Sequence, residues 1–162
     1  MLSSVENLEE RARNIVLRAL EKGPKSSAQL LEALTASEIP LEIAKPLILR
    51  FTEVELVNDQ VYAQDLADAS RRTKGLARSM VKRKLESKGL DKELIEQVAA
   101  EISDEDELSV ATELAIKRLG QLGHFQPDVR KRRLVGFLQR RGFSSGVVFA
   151  AIREAESDAV KS

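Results

Sequence analysis

Leu85-Glu86-Ser87-Lys88-Gly89-Leu90-Asp91-Lys92-Glu93-Leu94-Ile95 is the stretch that decides the fold, because its pattern occurs three times in the chain. The pattern is an apolar residue, three residues, a turn, a second apolar residue, four residues and a third apolar residue. It returns 53 residues later, from Leu138 through Gly142 to Val148, and stands 51 residues earlier, from Leu34 to Ala44. A period near 50 residues is typical of a helical repeat array.

Apolar residues at spacings of three and four surround each copy of the pattern, and Gly, Pro and Ser punctuate them, as at Lys22-Gly23-Pro24 and Ser26-Ser27. We therefore predict an all-α protein of tandem three-helix repeats. The predicted repeats span residues 5–58, 59–103 and 104–158. Coincidence among leucine-rich helices is the alternative to true repeats.

The composition argues against several classes of function. The chain has no cysteine and a single histidine, His124, which excludes disulfides, thiolate zinc sites and His-rich metal sites. His124 is expected to be a loop residue, and the acidic run from Asp104 to Glu107 is expected to begin a helix. We therefore expect no catalytic residues, no metal and no cofactor. Without a long apolar stretch or a signal peptide, the expectation is a cytoplasmic protein that does not bind membranes.

The zero net charge hides strong segregation along the chain. Residues 71–88 hold eight basic residues and one acid, and residues 117–141 again hold eight and one. Between these windows, residues 101–107 hold five acids and no base. Local potential of this kind steers charged partners.

The two basic windows supply the candidate residues for binding a partner or DNA. On a helix predicted to begin near Lys74, the residues Lys74, Arg78 and Lys82 share the face away from Leu76 and Leu85. The full candidate set is Arg71, Arg72, Lys74, Arg78, Lys82, Arg83, Lys88, Arg130, Lys131, Arg132, Arg133, Arg140 and Arg141. A stripe built from equivalent helices of adjacent repeats suits phosphates or an acidic protein groove; an ordinary solvated face is the other interpretation.

Several segments, in their order and spacing, resemble the RecX regulatory proteins. They are residues 13–20, 51–56, 56–63, 71–75, 85–90 and 138–143, within a resemblance that covers residues 9–155. Tyr62 stands where the family usually has Phe, and Asp65-Leu66 replaces a bulky aromatic residue. These departures concern the surface of the middle repeat rather than the fold.

The resemblance implies that the three repeats form an elongated curved array. It also implies a non-enzymatic regulator that binds in the groove of RecA filaments on DNA. It implies modulation, mainly inhibition, of RecA ATP hydrolysis, strand exchange and SOS-related activity, with direct binding of single- or double-stranded DNA in some members. The chain is expected to be a monomer. The rival function is a tandem helix-turn-helix DNA-binding protein, which would need a recognition helix rich in Asn, Gln and Ser as well as Arg.

Overall fold

A computed structural model describes residues 4–161, and within that range it contains nine α-helices and no strand. They are α1 (Ser4–Glu21), α2 (Ser27–Ala36), α3 (Leu41–Glu53), α4 (Asp59–Lys74), α5 (Arg78–Ser87), α6 (Lys92–Ala100), α7 (Asp104–Gln121), α8 (Pro127–Arg140) and α9 (Ser145–Lys161). The predicted all-α class and three-helix repeats are confirmed. No helix in the described part of the chain is long and apolar enough to cross a membrane.

Local sequence explains most helix starts. Ser26 caps α2 by accepting from the Gln29 backbone N–H, while the Gln29 side chain accepts from the Ser26 backbone N–H. Asn58 Oδ1 accepts from the Val61 N–H at 3.1 Å and caps α4. Helix α7 begins at the acidic run, as predicted, with Ser103 as its cap and the acids Asp104 to Glu107 in its first turn.

The prediction that the basic helix begins near Lys74 is wrong. Helix α4 continues to Lys74, and α5 begins only at Arg78. Gly75 separates them with φ of 60°, a left-handed conformation that ends a helix. Lys74 and Arg78 therefore belong to different helices and do not form one cationic row.

The chain divides into two compact units that do not coincide with single repeats. Unit 1 contains residues 1–65 and 85–95, and unit 2 contains residues 66–84 and 96–162. The middle repeat thus contributes residues to both units.

Aliphatic side chains fill the core of unit 1. Val16, Leu30 and Leu34 are almost completely buried, and they pack with Leu47 and Phe51 of α3. Alanines at Ala12 and Ala44 are fully buried, which lets the three helices approach closely.

In unit 2 the longest helices, α7 and α9, pack together along most of their length. Ala111 and Ala115 of α7 and Ala151 and Ala155 of α9 supply the small side chains for this contact. Leu134 and Leu138 of α8 complete the core, both at most 1% exposed.

The repeated pattern marks equivalent buried positions. Leu34, Leu85 and Leu138 each have 0% exposure. The next apolar positions are also buried; they are Ile39, Leu90 and Phe143, followed by Ala44, Ile95 and Val148. The turn position has positive φ in all three copies, at Glu38, Gly89 and Gly142. The register of the repeats is therefore confirmed.

Candidate partner-binding surface

Arg71 and Arg78 are engaged in a buried polar joint within unit 2. Arg71 Nη1 lies 2.8 Å from Glu107 Oε1, with 12% and 8% of the two side chains exposed. The Glu107 carboxylate also accepts from the Arg78 backbone N–H at 3.1 and 3.0 Å. Because Arg78 is the first residue of α5, Glu107 caps this helix from another repeat. We call these contacts, with those of Ala77 and Ser79 below, the second joint.

Unit 1 contains an equivalent arrangement, which we call the first joint. Asp59, at the start of α4, accepts from the Ser27 backbone N–H at 2.8 Å and from the Ser27 hydroxyl at 2.5 Å. Ser27 is the first residue of α2, and 51 residues separate it from Arg78.

Burial, and secondarily the carboxylate of Asp59, raises the pKa of Tyr62 above its ordinary value of 10.0.

Each joint also uses the turn after the second helix of the following repeat. In the first joint, the Ser26 hydroxyl donates to the Lys88 carbonyl at 2.6 Å. In the second, the Ala77 N–H donates to the Arg141 carbonyl at 3.1 Å and the Ser79 hydroxyl to the Gly142 carbonyl at 2.7 Å. The joints thus repeat with the same register as the core.

Some of the predicted candidates are engaged in hydrogen bonds and ion pairs within unit 2. The Arg78 guanidinium donates to the Ile102 carbonyl at 2.7 Å and pairs with Asp104 at 3.0 Å. Lys82 pairs with Glu96 at 2.8 Å. Arg71, Arg78 and Lys82 therefore already have carboxylate partners, and reversing the charge of Arg78 would remove contacts that hold α5 to α7.

Other candidates have side chains without a hydrogen bond or ion pair to any described residue. They are Arg72, Lys74, Lys88, Arg130, Lys131, Arg132 and Arg140. Lys88 lies in unit 1 and the others in unit 2. Arg83 makes only a 3.9 Å contact with the Met80 sulfur.

The largest group of unpaired charges lies on the first turns of α8. We call Arg130, Lys131, Arg132 and Arg133 the α8 cation cluster, and the last three are exposed. The Arg133 guanidinium lies over the Phe125 ring at 4.2 Å from its centroid, and the His124 ring contacts Phe125. His124 is an exposed loop residue, as predicted. Within residues 4–161 no carboxylate lies within 4 Å of the cluster's charged nitrogens.

A second cationic group surrounds Phe137. The guanidinium of Arg118 lies 5.2 Å from the Phe137 centroid, and that of Arg141 lies 5.0 Å from it. We call these three residues the Phe137 clamp. Arg141 also donates to the Lys74 carbonyl at the end of α4, which joins the clamp to the end of that helix.

The two cationic groups occupy successive turns of α8, since Arg133 and Phe137 stand four residues apart, about one helical turn. Arg130 and Arg141 stand eleven residues apart, which is about 16 Å along a helix. Sequence reasoning missed Arg118, because its position fits the apolar face of α7, and missed Phe137, because its spacing is that of a core residue. The only sequence signal for the clamp is that its two arginines and its phenylalanine lie in the same repeat.

Two family models match the chain. The model described as RecX, second three-helix domain, matches residues 58–98, and that described as RecX, third three-helix domain, matches residues 104–152. Together they cover more than half of the described chain.

Curated relatives and solved structures agree with these matches. The chain is 38% identical to a protein named regulatory protein RecX from Streptomyces coelicolor, over 90% of this chain and 78% of that one. It is 37% identical to the protein of the same name from Thermobifida fusca, over 92% and 80%. The crystal structure of RecX from Lactobacillus salivarius shares the fold, with a TM-score of 0.83, 19% identity and coverage of 93% and 98%.

Proposed function

Because the chain belongs to the RecX regulatory protein family, we propose that it binds RecA recombinase filaments and restrains their ATP hydrolysis, strand exchange and SOS-related activity. In this proposal the protein is a cytoplasmic monomer that acts by binding the filament and catalyses no reaction. Its three repeats, residues 5–58, 59–103 and 104–158, serve as one binding scaffold.

The observation that carries the proposal at the level of residues is the α8 cation cluster. Four adjacent cations without a carboxylate within 4 Å among the described residues create a strong local potential in a protein of zero net charge. Such a potential attracts an acidic partner and weakens as salt screens it. A RecA filament on DNA offers both carboxylates and phosphates to this surface.

We narrow the proposed contact residues to the unpaired cations. They are Arg72, Lys74, Arg83, Arg130, Lys131, Arg132, Arg133, Arg140 and Arg141, with Lys88 in unit 1. Arg71, Arg78 and Lys82 are proposed to support this surface from within the fold rather than to contact the partner.

The test is a RecA ATPase assay on single-stranded DNA with increasing amounts of the protein. We expect the wild-type chain to lower the ATPase rate, and the triple variant Arg130→Glu, Arg132→Glu, Arg133→Glu to need at least about tenfold more protein for the same effect. Arg153→Glu is the control for reversal of a single exposed arginine, because Arg153 lies on α9 outside both cationic groups. No effect of the wild-type chain on RecA would refute the proposal.

The rival function, sequence-specific duplex binding, makes a different prediction. Direct readout of adenine uses Asn or Gln side chains. Helix α8 has several arginines and one lysine, but Gln139 is its only amide side chain. Footprinting on duplex DNA without RecA separates the two functions, since a discrete protected sequence would favour the rival.

A further inference from the structure

Three large apolar side chains are exposed close together at the end of α3. Leu49, Val54 and Leu56 are 59%, 67% and 54% exposed. The intervening Phe51 and the following Val57 are buried in the core of unit 1, so the exposed three are not needed to fill that core. Neighbouring exposed apolar side chains mark surfaces where proteins meet other molecules.

Acidic side chains stand among these apolar residues. Glu53 and Glu55 are exposed, and no cation in the described part of the chain lies within 4 Å of either carboxylate. Arg50 is the nearest cation before them, but from residue 51 to residue 70 the sequence holds five acids and no base. We call Leu49 together with residues 53–56 the α3–α4 corner. It presents apolar side chains within a region of negative potential.

The backbone of the α3–α4 corner is held in a defined turn. Glu55 has φ of 61°, in the left-handed region where glycine commonly ends a helix. The Leu56 N–H donates to the Phe51 carbonyl at 2.9 Å, and the Glu55 N–H donates to the Thr52 carbonyl at 3.0 Å. A segment that is ordered before it binds loses less conformational entropy on binding. The corner is therefore suited to docking.

The α8 cation cluster has the complementary chemistry. It holds four adjacent cations, three of them exposed, and the Phe125 ring lies 4.2 Å from the guanidinium of Arg133. Surfaces of opposite potential attract each other and orient the encounter of two molecules. Because each molecule carries one corner and one cluster, the two surfaces are always present in equal amounts.

We propose that the α3–α4 corner docks onto the α8 cation cluster of a second copy of this chain. Such a contact joins two different surfaces, so association is head-to-tail and leaves a free corner at one end and a free cluster at the other. The contact is small, and a Kd on the order of 0.1 mM is expected. The inference goes beyond the proposed function: association covers the α8 cation cluster, so the monomer remains the form that binds a filament.

The experiment is sedimentation velocity of the full chain alone, from about 0.01 to 0.5 mM protein and from about 0.05 to 1 M salt. At low salt the average mass of the wild type should rise with protein concentration. At high salt it should return to the mass of the monomer, because screening removes the attraction between the two surfaces.

Two charge-reversal variants test the two surfaces separately. The corner variant is Glu53→Lys with Glu55→Lys, and the cluster variant is Lys131→Glu with Arg132→Glu. All four side chains are exposed and none has an ion-pair partner among the described residues, so the fold should persist, which circular dichroism checks. Each variant should weaken association at least about tenfold.

A neutral variant and a control separate a specific contact from an effect of net charge. Val54→Ser with Leu56→Ser keeps the net charge and should also weaken association, because it removes the apolar part of the corner. Glu21→Lys with Glu32→Lys changes the net charge as much as the corner variant does, at exposed positions elsewhere in unit 1. This control should associate within about threefold of the wild type.

A mixture of two deficient variants shows whether the contact is head-to-tail. The neutral corner variant keeps an intact cluster, and the cluster variant keeps an intact corner. An equimolar mixture should therefore form one-to-one dimers, without longer species, although each variant alone stays monomeric.

Three results would overturn the inference. One is a wild-type chain that stays monomeric at low salt over the whole concentration range, which would leave the corner to a different protein. Another is a folded corner variant that associates as the wild type does. The third is a mixture that stays monomeric, as expected if two corners meet symmetrically. RecA is absent from these measurements, so their failure is distinguishable from failure of the proposed function.

Discussion

Glu38 occupies the turn position that glycine fills in the other two repeats. Its φ is 63°, in the left-handed region where a side chain is unfavourable. Gly89 and Gly142 have a further reason to be glycine, since a Cβ on Gly89 would lie 2.5 Å from the Ala28 Cβ. On Gly142 it would lie 2.4 Å from Met80 Cγ. The glycines thus allow close packing at the joints, while Glu38 is exposed.

Substitutions at this position should have opposite effects in different repeats. Glu38→Gly should raise the free energy of unfolding by up to about 1 kcal/mol, because relief of the left-handed strain exceeds the added chain entropy. Gly89→Ala should lower it by about 1–3 kcal/mol through overpacking against Ala28. Urea denaturation checks both, and a destabilising Glu38→Gly would show that φ is not the limiting factor there.

Leu85 and Leu138 should behave as equivalent core residues. Both are fully buried, so replacement of either by Ala should lower the free energy of unfolding by about 2–5 kcal/mol. Gln60 and Gln97 are exposed, and their replacement by Ala serves as the control with a change within about 0.5 kcal/mol. Thermal melts would contradict the assigned register if Leu85→Ala kept the wild-type midpoint.

At the level of helices, the sequence predicted the class, the repeats and most boundaries, because apolar periodicity and Gly, Pro and Ser signals are local. It missed the break at Gly75, since Lys74 and Arg78 continue the spacing of a helix across it. It could not identify Glu107 as the cap of α5, because the two segments lie 29 residues apart. The pairing of Arg71, Arg78 and Lys82 was hidden for the same reason, as it depends on tertiary contacts.

The two joints differ in burial, and this predicts unequal effects on stability. Glu107→Ala removes a carboxylate that is 8% exposed and leaves the Arg71 guanidinium with two backbone carbonyl acceptors but without its carboxylate partner, so a loss of about 3–5 kcal/mol is expected. Asp59→Ala removes the equivalent cap from α2, at a cost of about 1–2 kcal/mol. Chemical denaturation of both variants tests the order, and equal losses would mean that the ion pair adds nothing to the cap.

At the scale of the whole molecule, the division of the middle repeat predicts which fragments fold. Fragment 1–103 contains all of unit 1, and fragment 59–162 contains all of unit 2, including both of its segments. Each should show cooperative thermal unfolding by circular dichroism. Fragments 1–58 and 104–162 lack parts of those units and should unfold without a sharp transition. Cooperative melting of 1–58 alone would show that single repeats are independent.

The first joint also has a consequence for the order of events on the ribosome. Helix α2 is complete once residue 36 has been made, yet its stabilising partners, Asp59 and the Lys88 carbonyl, are encoded later. The 52 residues from 36 to 88 take roughly 3–10 s to synthesise at about 5–20 residues per second. During this interval the start of α2 has its local Ser26 capping box but not all of its contacts with Asp59 and the Lys88 carbonyl. During synthesis, we therefore expect proteases to cleave, or chaperones to bind, the nascent chain in the first repeat rather than in the last.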